Sequence, residues 1–150
     1  MPPVLRLQLS IVSAAVGLDA ELDERSVDDV GQTEDVIVSQ WREVSADEKH
    51  HMHEQVDEIL RPAGFETSLL VIRRANSLAL YFFCMTLSAL MGLHVQWSTG
   101  QLRDIVQSLF TFLSGATRQV RVKRLTRPQS DYERCSEFFR SLQGKQAMLW

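Results

Sequence analysis

Apolar residues recur at 3-4-3 spacing through Leu102, Ile105, Val106, Leu109, Phe110 and Leu113, which predicts an amphipathic helix with one buried stripe. Gly115 supplies its C-terminal stop. Met52, Val56, Ile59 and Leu60 form a second stripe that ends near Pro62-Ala63-Gly64. Tyr132, Cys135, Phe138, Phe139 and Leu142 form a third, ending at Gly144. Ser45 with Glu48, Ser98 with Gln101 and Ser130 with Glu133 place the starts of these helices. Each pairs an N-cap hydroxyl with a carboxylate or amide three residues on, the arrangement that satisfies the first orphan N–H groups. Ile37, Trp41 and Val44 predict a short helix within Glu34–Val44, and the acidic stretch Asp19–Asp35 reads as a surface loop.

Two apolar segments fit more than one period. Val4–Val16 alternates through Leu5, Leu7, Leu9 and Ile11, yet Leu5, Leu9, Val12 and Val16 keep helical spacing. A helix is expected, because no second convincing strand is present to pair with it. Between Arg74 and Arg103 the chain runs 28 residues without Asp, Glu, Lys or Arg. A helix through Ala75–Trp97 would be roughly 34 Å long, enough to cross a bilayer. Asn76, Ser77, Thr86, Ser88, His94 and Gln96 interrupt the run, and its purely apolar part, Leu78–Met85, is short. Basic residues flank both ends rather than one, so the segment reads as a buried central helix, not a membrane span. The expected fold is all-α: one domain over residues 1–150, with six to eight helices around a buried hairpin of Leu69–Trp97 and Leu102–Leu113.

Composition agrees with one globular domain. The chain is 45% hydrophobic, enough for a sizeable core, and has only seven Gly and four Pro. Met1-Pro2-Pro3 lacks the charged start and apolar run of a secretory signal, so a cytoplasmic protein is expected. Cys84 and Cys135 then read as buried, reduced thiols. Charge is uneven: residues 1–60 hold 14 acidic and 4 basic side chains (−10), and residues 61–150 hold 5 and 12 (+7).

Signals for catalysis are sparse. The sequence has no glycine-rich phosphate loop, nucleophile elbow or CxxC, so neither an enzyme nor a cofactor is expected. His50, His51 and His53 beside Glu54 and Asp57 form a metal-like cluster. They lie on the polar side of the Met52–Val56–Ile59 helix, where a solvated face is the plainer reading and no metal is assigned. His94 reads as a core or rim histidine. Arg118, Arg121, Lys123, Arg124 and Arg127 form a basic strip. Nucleic acid or anionic lipid would use such a strip, but no stacking aromatic is interleaved, and it reads as a solvated connecting segment.

Val56-Asp-Glu-Ile-Leu60-Arg61-Pro-Ala63-Gly64-Phe-Glu66 resembles the BH3 region of Bcl-2 family proteins, with its Leu-Arg-x-x-Gly core. Val95-Gln96-Trp97 with Gly100, Arg103, Ile105 and Val106 resembles a loosened form of that family's first homology region. Phe138-Phe139-Arg-Ser-Leu-Gln-Gly144 resembles the second. The three occur in the family's order over Val56–Gly144. Pro62 interrupts the BH3-like core, Phe65 replaces an Asp and Gln101 takes the register of the groove arginine, a pattern similar to divergent, viral members. The resemblance implies a Bcl-2-like bundle and an anti-apoptotic protein that captures BH3 helices of pro-apoptotic relatives in a hydrophobic groove. Leu69, Leu87, Leu90, Met91, Gly100 and Val106 would line that groove, with Arg103 as the cation meeting the ligand's acidic residue. Homodimerisation and contact with the mitochondrial surface are compatible with that role, and no nucleic acid partner or integral membrane span is implied. The alternative is a helical adaptor or self-association module unrelated to cell death.

Overall fold

The computed structural model describes residues 4–15, 26–46, 50–74, 78–115 and 118–148, and it is a mixed α/β fold rather than the expected all-α bundle. Strand β1 (Val4–Ala15) is followed by α1 (Ser26–Ser45) and α2 (His50–Leu60). Strands β2 (Thr67–Arg74) and β3 (Leu78–Cys84) come next, then α3 (Leu87–Thr99) and α4 (Gln101–Leu113). Strand β4 (Arg118–Thr126) and α5 (Gln129–Met148) complete the order. The four strands form one sheet in the order β2-β3-β1-β4, antiparallel throughout. The connectivity is that of a split βαβ unit, each crossover carrying two helices instead of one.

Two corrections follow directly. Val4–Val16, expected as a helix, is a strand, because its alternation meets a matching alternation in β3. Leu5 pairs with Phe82, Leu7 with Leu80 and Leu9 with Leu78. All six side chains are buried on one face. The charge-free run is not one helix but a strand and a helix joined at Met85-Thr86. Leu78–Cys84 sits in a central strand covered on its core face, and a short apolar run of that kind has no period to separate it from a buried helix. Thr86 then starts α3: its Oγ1 accepts from Ala89 N at 3.1 Å and donates to Glu66 Oε2 at 2.7 Å.

The remaining helices fall close to their expected places. Ile37, Trp41 and Val44 are buried on α1, which is longer than expected and turns Ser26–Asp35 of the acidic stretch into helix. Asp19–Arg25 and Glu48 lie outside the described residues, while Ser45, expected to cap α2, is the last residue of α1, its hydroxyl donating to Arg42 O at 3.1 Å. Val56 is buried on α2, with Met52, Ile59 and Leu60 packed against the core. All six stripe residues of α4 are buried. Its N-cap is Gly100, however, with φ 87°, while Ser98 belongs to α3 and its hydroxyl donates to Val95 O. Helix α5 runs past Gly144 to Met148.

One core lies between the sheet and the helices, joining Leu5, Leu7, Leu80 and Phe82 to Ile37, Leu90, Leu93, Leu109, Phe110 and Phe139. Burial of these side chains is what holds the layers together, at roughly 1.5–3 kcal/mol for each large apolar residue. Among the described residues no helix is long and apolar enough to cross a membrane.

Candidate interaction surface

The groove implied by the Bcl-2 resemblance does not assemble from its seven residues. Leu69, Leu90 and Val106 are closed into the core, and Leu87 packs against it. Met91 is exposed on α3, Gly100 is the left-handed link between α3 and α4, and Arg103 is exposed on α4. The expected groove needed Leu69 on a helix; it lies instead on β2, paired with Phe82. Of the histidine cluster, the side chains of His50 and His51 lie outside the described residues. Among those described, no group of three His, Cys, Asp or Glu could hold a metal.

The basic strip is reorganised rather than solvated as a linker. Strand alternation sends Val120 and Val122 into the core and leaves Arg121 and Arg124 opposite Val12 and Ser10 on the other face. Lys123 is the extra residue where the β1–β4 register shifts. Arg127 leaves the strand and lies over two rings, 4.9 Å from the centroid of Trp97 and 4.3 Å from that of Tyr132. Trp97 Nε1 donates to Leu125 O at 3.0 Å, so the end of β4 is tied to α3. His94 stacks obliquely on both rings, and burial followed by repulsion from Arg127 lowers its pKa below the usual value. Burial likewise pushes the Cys84 thiol up to about 11 and raises that of Cys135. Both cysteines are free and buried, the setting in which a thiol is least nucleophilic.

The register places one set of side chains on the sheet face away from the core. Val4 is opposite Phe83, Arg6 opposite Tyr81 and Gln8 opposite Ala79. Val71 adjoins Tyr81, Arg73 adjoins Ala79 and Ser68 adjoins Phe83. Val4, Val71, Tyr81 and Phe83 are only half-buried, and none belongs to the core cluster. The helix residues packed on the sheet, among them Ile37, Leu90, Leu109, Phe110 and Phe139, belong to the core cluster on the other face. Asp131 of α5 reaches its border, 3.4 Å from Arg6 Nε. Arg73 lies 5.6 Å from the Tyr81 centroid. The four strands together contain Arg6, Arg73, Arg74, Arg118, Arg121, Lys123 and Arg124 and not one Asp or Glu. The charge asymmetry of the sequence is thus a basic sheet against more acidic helices.

The sheet edges, by contrast, are occupied. On β4, Val122 N donates to Gln107 Oε1 at 2.9 Å and Val120 N to Thr111 Oγ1 at 3.2 Å, both from α4. On β2, the register shifts between Leu69 and Val71, and Trp41 Nε1 donates to Leu70 O at 3.2 Å. Such bulges and side-chain caps blunt an edge against strand addition. The face is what remains available. A helix over Ala75–Trp97, the expectation from the charge-free run, hides this face because it takes Tyr81 and Phe83 out of any strand. The alternation of Tyr81, Phe83, Val71 and Arg73 was the available signal.

No family model, curated protein or solved structure matches this chain.

Proposed function

We propose that the chain is a non-catalytic adaptor domain that docks an acidic protein surface on the uncovered face of its sheet. The observation that carries the reading is that face itself: an apolar centre of Val4, Val71, Tyr81 and Phe83 beside Arg6 and Arg73, with Arg124 and Arg121 farther along the same face and no carboxylate on any strand. Aromatic residues and Arg around a desolvated centre are the composition of protein interfaces. Basic charge steers an acidic partner and fixes its register. Single-stranded nucleic acid would need free ring faces for stacking, and here Arg73 already lies over Tyr81 while Arg6 is engaged by Asp131. A cytoplasmic setting belongs to the same proposal and fits two buried free thiols.

The test is selection of displayed peptides against the wild-type domain, followed by affinity measurement with an Arg121→Glu/Arg124→Glu double variant and with Tyr81→Ser. Acidic–apolar sequences should be selected, and each variant should weaken them by about tenfold or more. An RNA oligomer and a panel of BH3 peptides serve as comparison arms. Selected peptides that bind the variants undiminished, or binding confined to the RNA or BH3 arm, would overturn the proposal.

A further inference from the structure

A different surface, on the helical side of the sheet, retains the unexplained part of the charge-free run. Phe65 is 92% exposed, Met85 60%, Met91 53% and Val95 55%. Phe65 and Met85 lie close together, and α3, which carries Met91 and Val95, adjoins their turn. Met85 N donates to Glu66 O at 2.8 Å, and Gln96 Nε2 of α3 donates to Pro62 O at 2.7 Å. The turn that carries Phe65 is therefore pinned to α3 at Gln96 and to the end of β3 at Met85, and Thr86 Oγ1 fixes Glu66 at a third point. Phe65 is held out into solvent by a braced turn. Beside it lies an open depression of about 470 Å³, lined by Pro62, Phe65, Ser88, Ala89, Gly92 and Gln96. A Cβ added at Gly92 would meet nothing within 4 Å, so the floor of the depression is open at that point. The exposed side of α3 is uncharged from end to end.

We infer that this face binds a second copy of the same chain about a two-fold axis, Phe65 of each copy entering the depression over Gly92 of the other. The face carries both the projecting ring and the hollow, which is the self-complementarity a two-fold interface requires. In such an interface a residue near the axis meets itself, so any charge on α3 would meet its own sign, and α3 has none. The charges around Phe65 are Arg61, Glu66 and Asp57, of both signs, so a copy of the chain offers a complement to each. An acidic or a basic partner complements only one sign. Met91 and Val95 add an apolar margin, and Met adapts readily to an irregular mate. Because α3 packs on the core side of the sheet, pairing leaves the basic face of each copy free, and the inference stands apart from the function proposed above.

Sedimentation velocity on the full chain up to about 500 μM tests it. A reversible dimer with Kd on the order of 10–100 μM is expected, the weak range of a single ring seated in an open depression. Gly92→Lys and Phe65→Ser should each weaken it at least tenfold. Both positions are exposed, and Lys is the better helix former at an open site, so circular dichroism and melting should show intact variants. The Arg121→Glu/Arg124→Glu variant should dimerise as wild type does, which separates this interface from the sheet face. A wild-type chain that stays monomeric throughout, or folded Gly92→Lys and Phe65→Ser variants that dimerise undiminished, would overturn the inference, whatever other protein the face binds.

Discussion

Adjacent phenylalanines on β3 give the most discriminating test of the sheet. Phe82 is 1% exposed, sits between Leu5 and Leu69 across the strands, and belongs to the core. Phe83, one residue on, faces the opposite side and is half-buried. Truncating a buried Phe to Ala removes its transfer free energy and leaves a cavity, at about 3–5 kcal/mol. Phe83→Ala loses part of a ring's burial and leaves no cavity, because water reaches the site, so about 1 kcal/mol is expected. With a urea m-value of about 2 kcal/mol/M, the midpoint should fall by roughly 1.5–2.5 M for Phe82→Ala and by about 0.5 M for Phe83→Ala. Urea titration followed by circular dichroism measures both, with matched m-values as the check that only stability has changed. Equal shifts, or a larger shift for Phe83→Ala, would show that the two rings do not alternate across a sheet, and the fold argument would fail with them.

Thr86→Ala should cost about 0.5–2 kcal/mol through loss of the α3 cap, read in the same titration, whereas Thr86→Ser should be close to neutral. His94 has a folded-state pKa below its unfolded value, so the unfolded chain binds the proton more readily and stability should fall as pH drops below about 6.5. Melting from pH 7.5 to 5.5 should show that loss, and His94→Gln should remove most of the slope. With its pKa near 11, Cys84 should resist alkylation at pH 8 until the protein unfolds. Rapid labelling of the native protein at Cys84 would contradict its burial.

The amphipathic helices were legible because their apolar residues repeat at 3-4-3 spacing against polar ones. Leu102 to Leu113, Val56 with its neighbours, and Ile37, Trp41 and Val44 all turned inward as their periods required. A half-buried helix writes its geometry locally, since one face meets water along its whole length. Val4–Ala15 and Leu78–Cys84 could not be settled that way. Leu5 and Leu9 satisfy two periods at once, and β3 keeps too few polar positions to mark one. What made them strands was each other: Leu5 against Phe82 and Leu7 against Leu80, contacts between residues more than seventy positions apart. Strand identity depends on cross-strand partners and on which face is covered, and neither is present in a local window. The same holds for the basic strip. Arg121 and Arg124 acquire a common face with Tyr81 and Arg73 only after β4 joins β1 and β1 joins β3. The sequence by itself determined the charges and the helical stripes, and tertiary pairing decided that the arginines share one sheet face with an apolar surface.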